Sequence, residues 1–516
     1  MIRPALVSYF GSRRWSRREF LAAGGAVTAS RFSLFSSAPA GSRAKAKPNV
    51  VIIAVDDLRP ELGCFGAKPV QSPSIDRLAR EGLVFTRAYC AMPICNPSRA
   101  SLLTGMRPDT LGVWDNSTHF RKNHPDITTL PQLFKNAGYH CVEVGKFFHD
   151  SLPDPVSWST PIRLIPMTTI YVSPAIRARQ SAREAAARKA GMSEAWVSSY
   201  LRGPATEAFD GPDNASWDGV IADGTIDLLR KLRDKTPFFL GIGLMSPHLP
   251  FVAPKRYWDL YQRDEIPLAP NNFLPKGAPR FAMNGLTELA CHEDFVDVPN
   301  PTEGSLTEDQ VRLLRHGYFA CVSYVDAQVG RIIDALDELN LRAETIIVLW
   351  GDNGCKLGEH GGWGKQTNYE EDTRVPLIIS PAGEKRAGGE TPALVELVDV
   401  YPTLCELADL RAPRGLEGTS LAPLLQNPRR PWKTAAFSQY ARGFTYRYVG
   451  RAMRTDRYRY IEWRERFEGR LVAAELYDHE SDPQENVNLA SLPESSVLVE
   501  ELSRRLGRGW KAALPR

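Results

Sequence analysis

The sequence has few histidines, little net charge and no long apolar run. Its nine histidines do not cluster, and its cysteines show no CxxC spacing, so the pattern of a zinc site is missing. A formal net charge of +4 offers no general reason to expect binding to nucleic acid or to a membrane surface. After the N-terminus, no segment has the roughly 18 uncharged apolar residues of a transmembrane helix. Composition is otherwise that of a globular chain with one large and one smaller domain.

Much of the positive charge lies at the N-terminus. Residues 1–40 contain six arginines and one glutamate, which leaves the rest of the chain near −1. The run SRREFL at Ser16–Leu21, a short apolar stretch and the small residues Ser37–Ala40 predict a twin-arginine signal peptide over residues 1–40. The alternative is a disordered basic tail. A signal of this kind implies a protein exported to the bacterial periplasm or the extracellular space, with the twin-arginine export machinery as a partner.

Strand-like and helix-like segments alternate through residues 49–430. The predicted strands are short, apolar and rich in β-branched residues, and they lie at 49–55, 139–144, 238–244, 344–350 and 375–379. Amphipathic helices are predicted at 74–81, 95–104, 129–137 and 307–339. This alternation predicts an α/β fold with a large, mostly parallel sheet flanked by helices.

The pattern changes at about Pro431. Short aromatic-rich segments at 446–451, 458–463 and 474–477 and a final helix near 496–506 predict a smaller C-terminal subdomain, residues 431–516, with a short antiparallel sheet. Residues 154–220 and 268–305 are rich in Pro, Gly and Ala, and we expect them to be surface insertions.

Acidic side chains follow two of the predicted strands. Asp56 and Asp57 come after the first, and Asp352 and Asn353 come after the strand at 344–350. Sites in open α/β sheets lie at the carboxyl ends of strands, so we expect these four side chains to converge. Three carboxylates and an amide suit a hard divalent cation, with Ca²⁺ favoured and Mg²⁺ second. The alternative for each pair alone is a turn or a helix cap.

Eight cysteines are present, and Cys141, Cys321 and Cys405 sit in apolar runs that predict buried core thiols. Cys95 has different neighbours: it begins the string CNPSR, which ends at Arg99. This cysteine is either a buried thiol or a nucleophile, since Arg99 one turn away would supply the positive charge that a thiolate needs.

The string C-x-P-S-R, followed by L-T-G-x-x-P at Leu103–Pro108, is much rarer than a cysteine beside an arginine. With it, the chain resembles the formylglycine-dependent (type I) sulfatases of the alkaline phosphatase superfamily, and within them the iduronate-2-sulfatase branch. Further strings in the same order carry this resemblance, namely VDDLRP at 55–60, GKFFH at 145–149, PHLPF at 247–251 and LGEHG at 357–361.

The resemblance implies an alkaline-phosphatase-like sandwich whose catalytic domain spans residues 49–430. It implies that a formylglycine-generating or sulfatase-maturing enzyme converts Cys95 to formylglycine, which hydrates to a geminal diol. One Ca²⁺ per chain would be held by Asp56, Asp57, Asp352 and Asn353, next to the modified Cys95.

The resemblance also implies the remaining catalytic roles. Arg99 and Lys146 would stabilise the charged diol, and His149 would hydrogen-bond the hydroxyl that does not attack. His248 and Lys365 would hold the sulfate oxygens and help to protonate the leaving alcohol. The expected function is release of sulfate from a sulfated sugar or polysaccharide.

Two departures from the branch leave the sugar open. The branch has a histidine where this chain has Asn353, and it reads H-K-P-H where this chain reads Met245-Ser246-Pro247-His248. Two alternative functions stay open as well. One is a phosphoesterase or phosphonate hydrolase of the same superfamily, and the other is a carbohydrate-binding relic without catalysis.

Overall fold

The computed structural model describes residues 47–149, 151–160, 170–194, 196–197, 201–235, 237–286, 288–383 and 388–515. The predicted signal peptide lies outside these residues. The described strands are β1 (Asn49–Val55), β2 (Leu83–Tyr89), β3 (His140–Gly145), β4 (Thr206–Phe209), β5 (Phe238–Leu244), β6 (Phe251–Pro254), β7 (Thr345–Gly351), β8 (Lys356–Leu357), β9 (Trp363–Gly364), β10 (Arg374–Val375), β11 (Leu377–Ser380), β12 (Gly389–Glu396), β13 (Ala436–Arg442), β14 (Tyr448–Arg454), β15 (Tyr458–Glu465) and β16 (Leu471–Asp478).

The main sheet is mostly parallel, as predicted. The order of the strands across this sheet is β3, β5, β1, β7, β11, β2, β10, and β12 also pairs with β2. Strands β10 and β11 run antiparallel to β2, and β11 also runs antiparallel to β7. The other neighbouring pairs of this sheet are parallel. The predicted strand at 375–379 is therefore the antiparallel element, divided in two at Pro376.

Both faces of this sheet are covered, which explains why its central strands are apolar throughout. Every residue of β1 is buried, and alternate residues enter two different hydrophobic cores, with Ile53 in one and Ile52 in the other. Helix Glu308–Glu338 contributes to the first core, and helices Cys95–Thr104 and Val400–Leu407 contribute to the second. A parallel sheet covered on both sides needs this pattern.

The described α-helices are Pro73–Glu81, Cys95–Thr104, Pro108–Leu111, Leu130–Asn136, Pro174–Lys189, Trp217–Leu232, Lys255–Trp258, Glu308–Glu338, Glu370–Thr373, Val400–Leu407, Ala422–Gln426 and Ser496–Arg508. The longest of them begins at a capping box in which Thr307 accepts from the Gln310 backbone and Gln310 accepts from Thr307. Among the described residues, no helix combines the length and the apolar character needed to cross a bilayer.

The C-terminal sheet is antiparallel and has the order β13, β14, β15, β16. Helix Ser496–Arg508 packs on it through Leu502. The prediction named β14, β15 and β16 but missed β13. All the described residues from Lys47 onward belong to one compact unit. All eight cysteines are free thiols, and Cys141, Cys321 and Cys405 are buried as predicted.

Candidate active site

The two predicted acidic strand ends meet at one edge of the main sheet. The register of β1 and β7 pairs Val55 with Gly351, so the residues that follow both strands lie side by side. Asp352 Oδ1 accepts hydrogen bonds from the backbone N–H of Asp57, at 3.0 Å, and of Asn353, at 2.9 Å. Asp57 adopts a left-handed φ of 59°, which turns the chain sharply at the end of β1.

These strand ends form a donor set that fits a hard cation. One carboxylate oxygen from each of Asp56, Asp57 and Asp352 lies within 4.8 Å of the others. Asn353 Nδ2 donates to Asp57 Oδ1 at 2.8 Å, whereas its Oδ1 is buried and has no hydrogen-bond partner. A buried amide oxygen without a donor is costly, and a cation held by the three carboxylates would satisfy it. Three carboxylates and an amide oxygen are hard ligands of the kind Ca²⁺ takes.

Cys95 lies at the first position of helix Cys95–Thr104 and is 1% exposed. Its Sγ, an oxygen of Asp56 and a ring nitrogen of His248 lie within 4.8 Å of one another. Burial and the Asp56 carboxylate raise the pKa of the thiol well above its ordinary value. Both effects favour the neutral thiol over the thiolate that a simple cysteine nucleophile needs.

Arg99 and Lys146 neutralise the acids from one side. Arg99 Nε donates to Asp352 Oδ2 at 2.8 Å, and its Nη2 donates to Asp56 Oδ1 at 3.2 Å. Lys146 Nζ donates to Asp56 Oδ2 at 2.5 Å. Burial alone would raise the pKa of Asp56, but Lys146, His248 and Arg99 hold it well below its ordinary value. Burial and Asp56 together raise the pKa of Asp352 to about 6.

Lys365 and His248 approach from the other side. Lys365 Nζ donates to both oxygens of Asp57, at 2.6 and 2.7 Å. His248 Nε2 lies 4.0 Å from Asp57 Oδ2, and its Nδ1 lies 2.6 Å from the carbonyl oxygen of Leu249. The His248 side chain remains 23% exposed, so this face of the cluster is open to a ligand.

Glu288 also lies at this open face, although the sequence did not predict it as a site residue. Its Oε1 lies 3.0 Å from His248 Nε2, and its Oε2 lies 3.8 Å from Lys365 Nζ. Burial and Lys365 act to lower the pKa of His248, but the carboxylates of Glu288, Asp57 and Asp56 outweigh them and raise it to about 9. Glu288 belongs to the segment 268–305 that we expected to be a surface insertion, and no local pattern distinguishes it there.

The contacts above thus link nine of the ten predicted site residues with one another, and the tenth is His149. His149 follows Lys146 by three positions, is half-buried, and has its Nδ1 2.9 Å from Ser151 Oγ. Glu359, in the LGEHG string, has a structural role instead: it accepts from Arg59 at 3.0 Å and lies 3.5 Å from Arg315.

Comparisons with known proteins show what the chain is similar to. The family model described as Sulfatase matches residues 48–410, and the model described as N-sulphoglucosamine sulphohydrolase, C-terminal, matches residues 358–511. The iduronate 2-sulfatase of Mus musculus is 33% identical over 544 aligned positions, which cover 90% of this chain and 95% of that protein.

Two solved structures share the fold. BT4656, solved with its substrate D-glucosamine-2-N,6-O-disulfate, has a TM-score of 0.71 at 23% identity and covers 90% of this chain and 98% of its own. The phosphonate monoester hydrolase of Agrobacterium radiobacter has a TM-score of 0.69 at 22% identity and covers 90% of this chain and 95% of its own. At these identities the two structures support the fold alone.

Proposed function

The chain belongs to the sulfatase family, and we propose that it releases sulfate from a sulfated sugar or polysaccharide by means of an oxidised Cys95 and a bound Ca²⁺. As a member of this family it is a sulfuric ester hydrolase. The observation that carries the finer proposal is the position of Cys95 Sγ beside Asp56 and His248, at the centre of the acids and cations described above.

The charges around Cys95 suit the chemistry of a sulfate monoester. The three aspartates of the cluster are matched by Arg99, Lys146 and Lys365. A bound Ca²⁺ would add positive charge and polarise the oxygens that face it. The side chains of Arg99, Lys146 and Lys365 would then stabilise the negative charge that the sulfate ester and the attacking oxygen bring together, which is the largest contribution to such transfers.

Oxidation of Cys95 to an aldehyde would supply two hydroxyls after hydration, one to attack sulfur and one whose proton can be removed as the aldehyde re-forms. A serine hydroxyl lacks the second group and would remain sulfated. We assign the sulfate oxygens and the leaving alcohol to His248 and Lys365, because His248 is partly exposed beside Asp57 and Lys365 Nζ contacts the same carboxylate. We assign to His149 the hydroxyl that does not attack, since it follows Lys146 at the same edge.

Burial of Cys95 bears on how the protein matures. A modifying enzyme cannot reach a side chain that is 1% exposed, so we propose that a formylglycine-generating enzyme oxidises Cys95 before folding. The twin-arginine route carries folded proteins, and oxidation would therefore precede export to the periplasm or beyond. Peptide mass spectrometry of cytoplasmic and exported protein checks this order, and unmodified Cys95 in an active exported sample would contradict it.

The proposed function is tested by sulfate release from a panel of sulfated mono- and polysaccharides, with a phosphate monoester and a phosphonate monoester alongside. We expect Cys95→Ala to lower sulfate release by about 10⁴-fold or more, since it removes the nucleophile. Cys64→Ala, a cysteine outside the site, should retain activity. Equal activity of the two variants, or faster turnover of the phosphorus esters, would overturn the assignment.

A further inference from the structure

His248 lies on a turn between β5 and β6 and belongs to neither strand. Within this turn, the backbone N–H of His248 donates to the carbonyl oxygen of Met245 at 3.1 Å. The ring is held by its own neighbour, because its Nδ1 lies 2.6 Å from the carbonyl oxygen of Leu249. The position from which Nε2 approaches Glu288 at 3.0 Å is therefore set by the backbone of residues 245–249.

Asp218 holds the start of this turn with both of its carboxylate oxygens. Its Oδ1 accepts from the backbone N–H of Met245 at 2.6 Å, and its Oδ2 accepts from the backbone N–H of Ser246 at 3.0 Å. Two bonds to consecutive peptide groups fix the orientation of the chain where it leaves β5. Without the carboxylate, both N–H groups would lose their acceptors inside the protein, which costs free energy.

The Asp218 carboxylate in turn depends on this turn for its hydrogen bonds. Asp218 is 1% exposed, and within the described ranges no lysine, arginine or histidine forms an ion pair with it. Burial raises its pKa, and the hydrogen bonds from Ser246 and Met245 oppose this rise without cancelling it. A buried carboxylate is tolerated only when such bonds compensate the loss of water.

The element that carries Asp218 is firmly anchored. Asp218 is the second residue of helix Trp217–Leu232. The next backbone N–H, that of Gly219, donates to the hydroxyl of Tyr324 at 2.7 Å, and Tyr324 is a buried residue of the long helix Glu308–Glu338. Asp218 therefore meets the turn from a fixed position, as a residue that orients a functional side chain must.

The start of the turn also lies next to the acids of the candidate active site. The last residue of β5, Leu244, pairs with Val55 of β1, and its carbonyl oxygen accepts from the backbone N–H of Asp56 at 3.1 Å. The Asp56 carboxylate is near enough to contribute to the raised pKa of Asp218. Asp218 thus holds the chain at the point where it passes from the side of Asp56 to His248.

We propose that Asp218 is a positioning residue for His248, which it holds in place through the backbone of Met245 and Ser246. This inference rests on the proposed function and adds one residue to it. The carboxylate of Asp218 is bonded to the backbone of the turn and has no role in the chemical steps. Because a displacement of about 1 Å can lower a rate by about a hundredfold, a defect at Asp218 should appear as a defect of His248.

The test replaces Asp218 with asparagine, which keeps the shape of the side chain. The amide oxygen can accept from one N–H of the turn, but the amide nitrogen faces the other N–H as a second donor. The matched control is Asp326→Asn. Asp326 is 3% exposed and also accepts from two consecutive backbone N–H groups, those of Ser74 and Ile75, at 3.1 and 2.7 Å, but these hold the start of helix Pro73–Glu81.

We expect Asp218→Asn to lower kcat/KM on a sugar sulfate by about 10- to 100-fold, and on an aryl sulfate by clearly less. A phenolate leaves without the proton that a displaced His248 no longer supplies. A smaller folded fraction would lower both rates equally, so the ratio of the two rates reports positioning alone. In a His248→Ala background, Asp218→Asn should cause little further loss on the sugar sulfate. Asp326→Asn should leave the ratio unchanged.

An unchanged ratio in Asp218→Asn, or an undiminished further loss in the His248→Ala background, would overturn the inference. If Asp218→Asn does not fold, Asp218→Glu is measured in the same way. It keeps both acceptor oxygens but places them one methylene further out, so it should change the ratio in the same direction.

NMR of protein with isotope-labelled histidine tests the inference without turnover. The ring signals of His248, assigned by their loss in His248→Ala, should shift in Asp218→Asn and stay in place in Asp326→Asn. Signals that Asp218→Asn does not move would contradict the positioning role. Shifted signals in a protein that releases no sulfate from any substrate would support the positioning role and contradict the proposed function alone.

Discussion

Two buried groups of acids and bases in this protein contain similar side chains and differ in what remains unpaired. The site cluster consists of Asp56, Asp57, Asp352, Asn353, Arg99, Lys146, His248 and Lys365. The C-terminal cluster lies where the C-terminal sheet meets the main sheet and consists of Glu370, Glu485, His479, Arg454 and Arg459. Each group brings three possible metal-ligand atoms within 4.8 Å of one another, so proximity of acids alone does not separate them.

The difference lies in the use of the acceptor oxygens. In the C-terminal cluster, Arg459 donates to both glutamates, Tyr89 donates to Glu370 at 2.9 Å, and His479 Nε2 lies 2.8 Å from Glu485. Among the described residues, no buried oxygen of these two glutamates lacks a partner. In the site cluster, Asn353 Oδ1 lacks one and His248 is partly exposed. The C-terminal cluster therefore links the two sheets, whereas the site cluster keeps an unpaired oxygen and a partly exposed histidine, as the proposed Ca²⁺ and substrate require.

The largest effect is expected from Arg459→Met in the C-terminal cluster. It leaves Glu370 and Glu485 buried without their shared guanidinium, and breaking such a pair costs about 3–5 kcal/mol of unfolding free energy. Denaturant unfolding measures this loss. Calcium binding of the folded variant should be unchanged, and its loss would mean that the two clusters are not independent.

Acid should weaken the same cluster. Burial opposes ionisation of Glu485, but Arg459 and His479 lower its pKa to about 2. Because this pKa is depressed on folding, its stabilising contribution is present above the unfolded value of about 4.3 and is lost as pH falls from there towards 2. The wild-type protein and Arg459→Met should therefore converge in stability on acidification.

The next effect concerns calcium and the site cluster. Adding Ca²⁺ to chelator-treated protein should raise the unfolding free energy by about 2.7 kcal/mol when the free ion is 100 times its Kd, measured as a thermal shift. Asp57→Asn and Asn353→Ala should lose this increment, because each removes a ligand. Glu370→Gln, in the C-terminal cluster, should keep this increment. Loss of the increment in Glu370→Gln alone would mean that the ion binds to the C-terminal cluster and not to the site cluster.

The smallest effect is expected at Glu288, a partly exposed acid that has no counterpart in the C-terminal cluster. Glu288→Gln should lower kcat/KM on a sugar sulfate by about tenfold, near 1.4 kcal/mol, because His248 loses the carboxylate that holds its proton. An aryl sulfate should lose less, since a phenolate leaves without needing that proton. The matched control is Glu293→Gln, because Glu293 lies in the same segment and pairs with Arg179 at 2.6 Å. Equal losses on both substrates would assign Glu288 a purely structural role.

Much of the fold followed from local patterns. Strand β5 has the predicted bounds, and helix Glu308–Glu338 differs from its prediction by one residue at each end, because continuous apolar runs and helical periodicity are local properties. Strand β13 was missed, since its run AFSQYAR alternates weakly and its contacts with β2 and β12 of the main sheet involve segments that are distant in sequence.

The sequence by itself determined the chemistry at the two strand ends and at Cys95. Parallel strands of one sheet end at the same edge, so Asp56 and Asp352 had to meet, and the string from Cys95 to Arg99 is specific enough to indicate a sulfatase. Only the tertiary structure decided the open side of the site. Glu288 comes from an irregular segment and carries no local signal, because its role depends on contacts with Lys365 and His248 that only the tertiary structure brings about.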